Sequence, residues 1–69
     1  MPLTMARRGE KNQIKRITGK DETSRFLASL GFVEGECVTI VNEIAGNVIL
    51  NIKDTRVALD KSMANRIMI

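Results

Sequence analysis

The sequence predicts a mainly β domain: a small SH3-like barrel of five or six short antiparallel strands, with one α-helix inserted over about 21–30 and a one-turn helix before the last strand. Three observations carry this. Short β-branched runs recur, separated by turn residues, from Cys37 to the end of the chain. A single stretch, Asp21 to Leu30, has helical spacing of apolar residues. The length of 69 residues admits only one small core, so residues 1–69 are read as a single domain.

Leu3 and Met5 alternate with polar neighbours and predict a short first strand, and Ala6-Arg7-Arg8-Gly9-Glu10 supplies a turn. Lys11 to Thr18 reads as the next strand. Ile14 and Ile17 are three apart rather than two, so a bulge is needed to bring both inward. Gly19-Lys20-Asp21 ends the run. Asp21 is suited to cap a helix, because its carboxylate can accept from free first-turn amides, and Glu22 adds favourable charge at that end. Thr23, Phe26, Leu27 and Leu30 form one apolar stripe. Gly31 suits the left-handed residue past the helix end, with Phe32 folding back onto Leu27 as in a Schellman ending.

Val33-Glu34-Gly35-Glu36 predicts a turn that launches Cys37-Val38-Thr39-Ile40-Val41, with Val38 and Ile40 on one face and Cys37, Thr39 and Val41 on the other. Ala45-Gly46-Asn47 turns the chain into Val48 to Lys53, where Val48, Leu50 and Ile52 face the core. A tight turn at Asp54-Thr55 leads to Arg56-Val57-Ala58-Leu59, with Val57 and Leu59 inward. Asp60 caps one helical turn, Lys61 to Ala64, before Ile67-Met68-Ile69 closes the chain as a strand. So many short strands in so short a chain cannot stack as two large sheets, and open edges invite pairing with other chains. A closed or nearly closed barrel solves both problems.

Composition narrows the function. No apolar run approaches the roughly 20 residues that cross a bilayer, and the amino terminus lacks a leader pattern, so a cytoplasmic protein without membrane insertion is expected. With no His and a single Cys37, read as a small core residue, the usual parts of a zinc site or a nucleophile–base pair are missing, and enzyme chemistry is not expected. A divalent transition metal would have only Glu34, Glu36, Glu43, Asp54, Asp60 and Cys37 to choose from, at spacings that resemble no site. No cofactor is therefore expected beyond weak transition-metal binding.

The net charge of +3 is unevenly spread: six cations against one acid in the first 20 residues, five cations against seven acids in the remainder. Arg7, Arg8 and Lys11 lie in the basic end, which would attract an acidic partner, an anionic lipid surface or nucleic acid. Two Phe and no Trp or Tyr provide few platforms for stacked bases, so no specific nucleic acid is expected. Arg56 stands beside a turn. It either pairs with Asp54 or Asp60, or offers its planar fork to a carboxylate or phosphate on a partner.

Taken together, Gly9, Ile14, Ile17-Thr18-Gly19, Leu27-Ala28-Ser29-Leu30-Gly31-Phe32, Gly35, Val38, Asn47, Arg56-Val57-Ala58-Leu59, Met63-Ala64 and Ile67 resemble the FeoA family of bacterial ferrous iron transport. The resemblance spans nearly the whole chain. It implies an SH3-like cytoplasmic protein that acts on a FeoB-type membrane transporter, peripheral to the inner face of the membrane through that transporter. It also implies kinship with the carboxyl-terminal domain of metal-dependent repressors of the diphtheria-toxin-repressor type, which makes a metal-binding or regulatory domain the alternative. The candidate partner contacts are Arg56, Arg7, Arg8, Lys11 and, on the helix, Arg25; a homo-oligomer is compatible with all of this.

Overall fold

A computed structural model describes residues 1–69. Its strands are β1 (Lys11–Gln13), β2 (Arg16–Ile17), β3 (Cys37–Ile44), β4 (Asn47–Ile52), β5 (Thr55–Asp60) and β6 (Ile67–Met68), with helices α1 (Glu22–Ser29) and α2 (Lys61–Ala64). Four strands form one antiparallel sheet in the order β1-β3-β4-β5, and β2 pairs with β6 in a second. This is the expected mainly β architecture, with the helix inserted where its cap and its glycine stop placed it.

The first run departs from expectation. Leu3–Met5 is a single 3₁₀ turn, not a strand, closed by Met5 N–H to Pro2 C=O and Ala6 N–H to Leu3 C=O. Proline at position 2 sets φ near −65°, ready for a tight turn. One alternating pair was too short a pattern to specify a strand. Leu3 still enters the core, while Met5 points to solvent.

Lys11 to Thr18 is two strands in two sheets rather than one bulged strand. Ile14 exchanges backbone hydrogen bonds with the Gly35–Glu36 turn, and the very next residue, Lys15, donates to Met68. The chain thus changes sheets between Ile14 and Lys15. That corner, not a bulge, explains the three-residue spacing of the two isoleucines: Ile14 is buried in the core, and Ile17 packs against it from the second sheet.

Helix α1 begins where Asp21 Oδ1 accepts from Ser24 N–H at 3.2 Å. At its end Phe32 N–H donates to Leu27 C=O and Gly31 N–H to Ala28 C=O, both at 3.0 Å, with Gly31 at φ +105°. These are the two bonds of a Schellman ending. Leu27 and Phe32, its hydrophobic partners, are both fully buried. The apolar stripe is narrower than its spacing suggested, because Phe26 is 49 % exposed.

Both hairpins turn on two residues with positive φ, Ala45-Gly46 between β3 and β4 and Lys53-Asp54 between β4 and β5. This type I′ geometry matches the twist of the flanking strands. The second turn lies one residue earlier than the sequence suggested, since Lys53 is in it. From β4 the core receives Val48, Leu50 and Ile52, as expected from their alternation, and β5 contributes Leu59 with Val57 packed at the margin.

Strand β3 carries the one register shift, where Ile40 opposes Leu50 but Asn42 opposes Ile49, so that Val41 is the extra residue of a β-bulge. Before it, even-numbered residues face the core; after it, odd-numbered ones do. Glu43, opposite the buried Val48, is therefore turned to the inner side, and Ile44 is turned out, 57 % exposed. Cys37 belongs to the outer face and is exposed. The expectation of a core thiol fails because alternation from Val38 places Cys37 beside Gln13 on solvent, opposite the buried set.

A candidate docking surface

Each cation singled out in the sequence is exposed, and the fold sorts them by element. Lys11 opposes Thr39, Thr39 opposes Asn51, and Asn51 opposes Arg56, so Lys11 and Arg56 end one cross-sheet row on the outer face. Three inter-strand steps separate them, about 14 Å of backbone at roughly 4.8 Å per step. Arg56 therefore sits on the opposite sheet edge from the basic amino-terminal segment. Arg25 is on α1, outside this sheet, and is not part of the row.

Arg7 lies in the turn before β1, where its carbonyl accepts from Glu10 N–H. Arg8 Nη1 donates to Asn42 Oδ1 at 3.1 Å, and that amide oxygen also accepts Glu43 N–H at 2.8 Å. The bulge thus organises both neighbours: it holds Asn42 where it steadies Arg8, and it aims Glu43 inward, where its carboxylate meets Lys61 Nζ at 2.6 Å.

These residues border an open cleft of about 530 Å³ at one end of the barrel. Its floor is Ile40, Val48 and Ala6; Thr4 and Asn65 form one wall, with the Thr4 hydroxyl donating to the Asn65 side-chain oxygen. Arg8, Glu43 and Lys61 stand at the rim. The cleft is a polar recess over an apolar floor, with one more cation than acid.

Half of the eight acids are engaged within the chain. Glu36 pairs with Lys53 at 3.7 Å, Glu43 with Lys61, and Asp21 with Arg66 at 2.6 Å. The Arg66 guanidinium, and after it the Ser24 N–H, holds the Asp21 carboxyl below its ordinary value. Asp60 accepts from Met63 N–H and the Ser62 hydroxyl, both at 2.8 Å, and these two bonds, the backbone one foremost, lower its pKa as well. Arg7, Arg8, Lys11, Arg25 and Arg56 make no ion pair within the chain. For Arg56 this removes the reading in which it merely pairs with Asp54 or Asp60. Arg66, which sequence reasoning passed over, is the arginine with a structural task; only the three-dimensional approach of β6 to the start of α1 exposes it.

No three His, Cys, Asp or Glu side chains gather as a metal-holding group, and no helix is long and apolar enough to cross a membrane.

Comparison with known proteins agrees with this architecture. A search of curated proteins finds no match. Among solved structures, an iron uptake regulatory protein, FeoA, superposes with a TM-score of 0.87 at 27% identity, over 97% of this chain and 89% of that one. FeoA of Stenotrophomonas maltophilia, an SH3 domain protein crystallised with zinc, gives 0.87 at 27% identity over 99% and 87% of the two chains. A manganese-dependent transcriptional repressor gives 0.84 at 26% identity, with this chain covering 39% of its length, so the likeness is to one part of that protein. The family model described as the FeoA domain matches residues 1–69, and the chain belongs to the FeoA family.

Proposed function

We propose that this chain is an accessory protein of ferrous iron uptake that binds the cytoplasmic part of a FeoB-type membrane transporter, and that it meets the membrane's inner face only through that partner. The observation that carries the reading is the set of cations with no partner of their own. Arg7, Arg8 and Lys11 lie together in the turn before β1 and on β1, exposed and without an ion-pair partner, while three acids are already paired. Exposed charges without internal partners steer association and set orientation at an interface. Family membership supplies the biological setting.

The docking surface is assigned to Arg7, Arg8 and Lys11 together with the rim of the adjoining cleft. An acidic surface on the transporter's cytoplasmic region is the matching chemistry. The test is retention of the transporter from solubilised membranes on immobilised protein, with transporter-free membranes as control. Retention is expected from the first and not the second, weakening as salt shortens the reach of charge from about 10 Å at 0.1 M. An Arg8→Glu, Lys11→Glu double variant is expected to lose it. Equal retention by the double variant removes the basic end from the contact, and no enrichment of the transporter ends the proposal.

A further inference from the structure

Strand β5 is the last strand of its sheet, and its outer edge is unprotected. Each strand in the β-meander offers alternate residues to its two neighbours. The two-residue turn Lys53-Asp54 makes Ile52 and Thr55 a hydrogen-bonded pair, which makes Leu50–Val57 and Val48–Leu59 hydrogen-bonded pairs too. The intervening residues, Arg56 and Ala58, therefore direct N–H and C=O away from β4. Nothing in the chain receives them: no strand follows β5 in the sheet, and no loop or turn bond involves either residue.

Natural edges are usually blunted by proline, a bulge, extreme shortness or charged side chains, and of these β5 has only the charges of Arg56 and Asp60. The opposite edge, β1, is only three residues long. Strand β5 has six residues, Thr-Arg-Val-Ala-Leu-Asp, with no proline, no glycine and no register shift.

We infer that β5 pairs with β5 of a second copy of this chain, antiparallel and centred on Ala58, joining the two four-stranded sheets into one of eight strands. The charges choose both the occupant and the register. Centred on Ala58, Arg56 lies opposite the partner's Asp60 and Asp60 opposite the partner's Arg56, two opposite-charge cross-strand pairs from one two-fold axis. Moving the axis to Arg56 would stack two guanidinium groups. Moving it to Val57 would leave Arg56 facing Ala58. Arg56, Ala58 and Asp60 share the exposed outer face. Ala58 at the axis is small enough to let the backbones approach. Asp60 uses Oδ1 to cap α2, which leaves Oδ2 for the guanidinium.

This pairing is independent of the transporter and uses the sheet edge remote from the basic end, so it is read on the purified chain alone. A ladder this short falls well below the roughly 1,200 Å² of a standard interface, so association should depend on concentration, with mostly monomer at about 10 µM and mostly dimer at about 1 mM. Sedimentation velocity over that range measures it. Ala58→Pro removes an N–H that serves no bond within the monomer and should abolish the dimer; a circular dichroism spectrum checks that it folds. Arg56→Asp, which places carboxylates opposite one another, should weaken association at least tenfold and serves if the proline variant does not fold.

Geometry is tested separately by oxidising Cys37→Ser/Ala58→Cys, because paired Cα atoms at about 5.5 Å lie within disulfide range. A linked dimer should form much faster than with Cys37→Ser/Ser29→Cys. A monomer throughout the concentration range overturns the inference, and so does a dimer untouched by either β5 substitution or equal rates for the two cysteine variants.

Discussion

The two phenylalanines, six residues apart, should behave very differently when truncated. Phe32 is 0 % exposed and closes the Schellman ending of α1, whereas Phe26 is 49 % exposed on the helix. Removing the Phe32 ring withdraws on the order of 150 Å² of buried apolar surface, about 4 kcal/mol at roughly 25 cal/mol per Å². That agrees with the ~3–5 kcal/mol typical of buried Phe→Ala. A domain of this length has about 3–10 kcal/mol in total, so Phe32→Ala consumes much or all of its stability. For Phe26→Ala the half-buried ring gives at most about 2 kcal/mol, and the better helix propensity of alanine returns about 0.5, leaving at most about 1.5. With about 4–8 °C per kcal/mol, the melting temperature should fall by at least 15 °C in the first variant, and by less than about 12 °C in the second. The chain has no Trp or Tyr, so far-UV circular dichroism during thermal and urea unfolding is the suitable probe. Equal losses, or a larger loss at Phe26, would refute the assignment of Phe32 as the ring on which the core closes.

Three further outcomes are expected. Asp21 and Asp60 both have carboxyls held below their ordinary value of 3.8, so the stability they lend is fully present above that value and is lost as the pH falls through it and below; melting temperature against pH should drop on the acid side, less steeply in Asp21→Asn/Asp60→Asn. Gly19 lies at φ +85°, where an added Cβ would come within 2.6 Å of Arg66 Nη1; Gly19→Ala should cost about 1–2 kcal/mol of left-handed strain, and by displacing Arg66 should move the Asp21 carboxyl back toward 3.8 in an NMR titration. Lys61→Ala should cost only about 0.5 kcal/mol in urea unfolding, since both partners of the Lys61–Glu43 pair are half-exposed, and a loss above 2 kcal/mol would show that this ion pair does more than line the cleft.

Much of this fold was legible because local and global signals coincide. Asp21, Gly31 and Phe32 each have one favourable local use, and the tertiary structure grants it. The alternation of Val48, Leu50 and Ile52 survives because β4 is central and has one buried face. Reading failed where meaning depends on what comes from elsewhere in the chain. The change of sheet between Ile14 and Lys15 requires Glu36 on one side and Met68 on the other, neither visible locally. Cys37 looked like core because it begins an apolar run, but the pleat, not the run, decides its face. The candidate site divides in the same way. That the cations are there was plain; that Lys11 and Arg56 end one row, on opposite edges, needed the register of three strand pairs. Arg66 carried no local signal at all.

The bulge at Val41 also makes this end of the barrel depend on one surplus residue. With the strand drawn straight and Val41 kept in the ladder, parity after Ile40 would invert: Glu43 would turn out of the cleft, Ile44 toward the interior, and Asn42 away from Arg8. Deleting Val41 instead leaves Ile40 opposite Leu50, Asn42 opposite Ile49 and Glu43 opposite Val48, so the rim keeps its facing while the strand loses its local bend and added twist. A relative one residue shorter here should therefore offer the same side chains to a partner at a changed angle, even when the cores superpose.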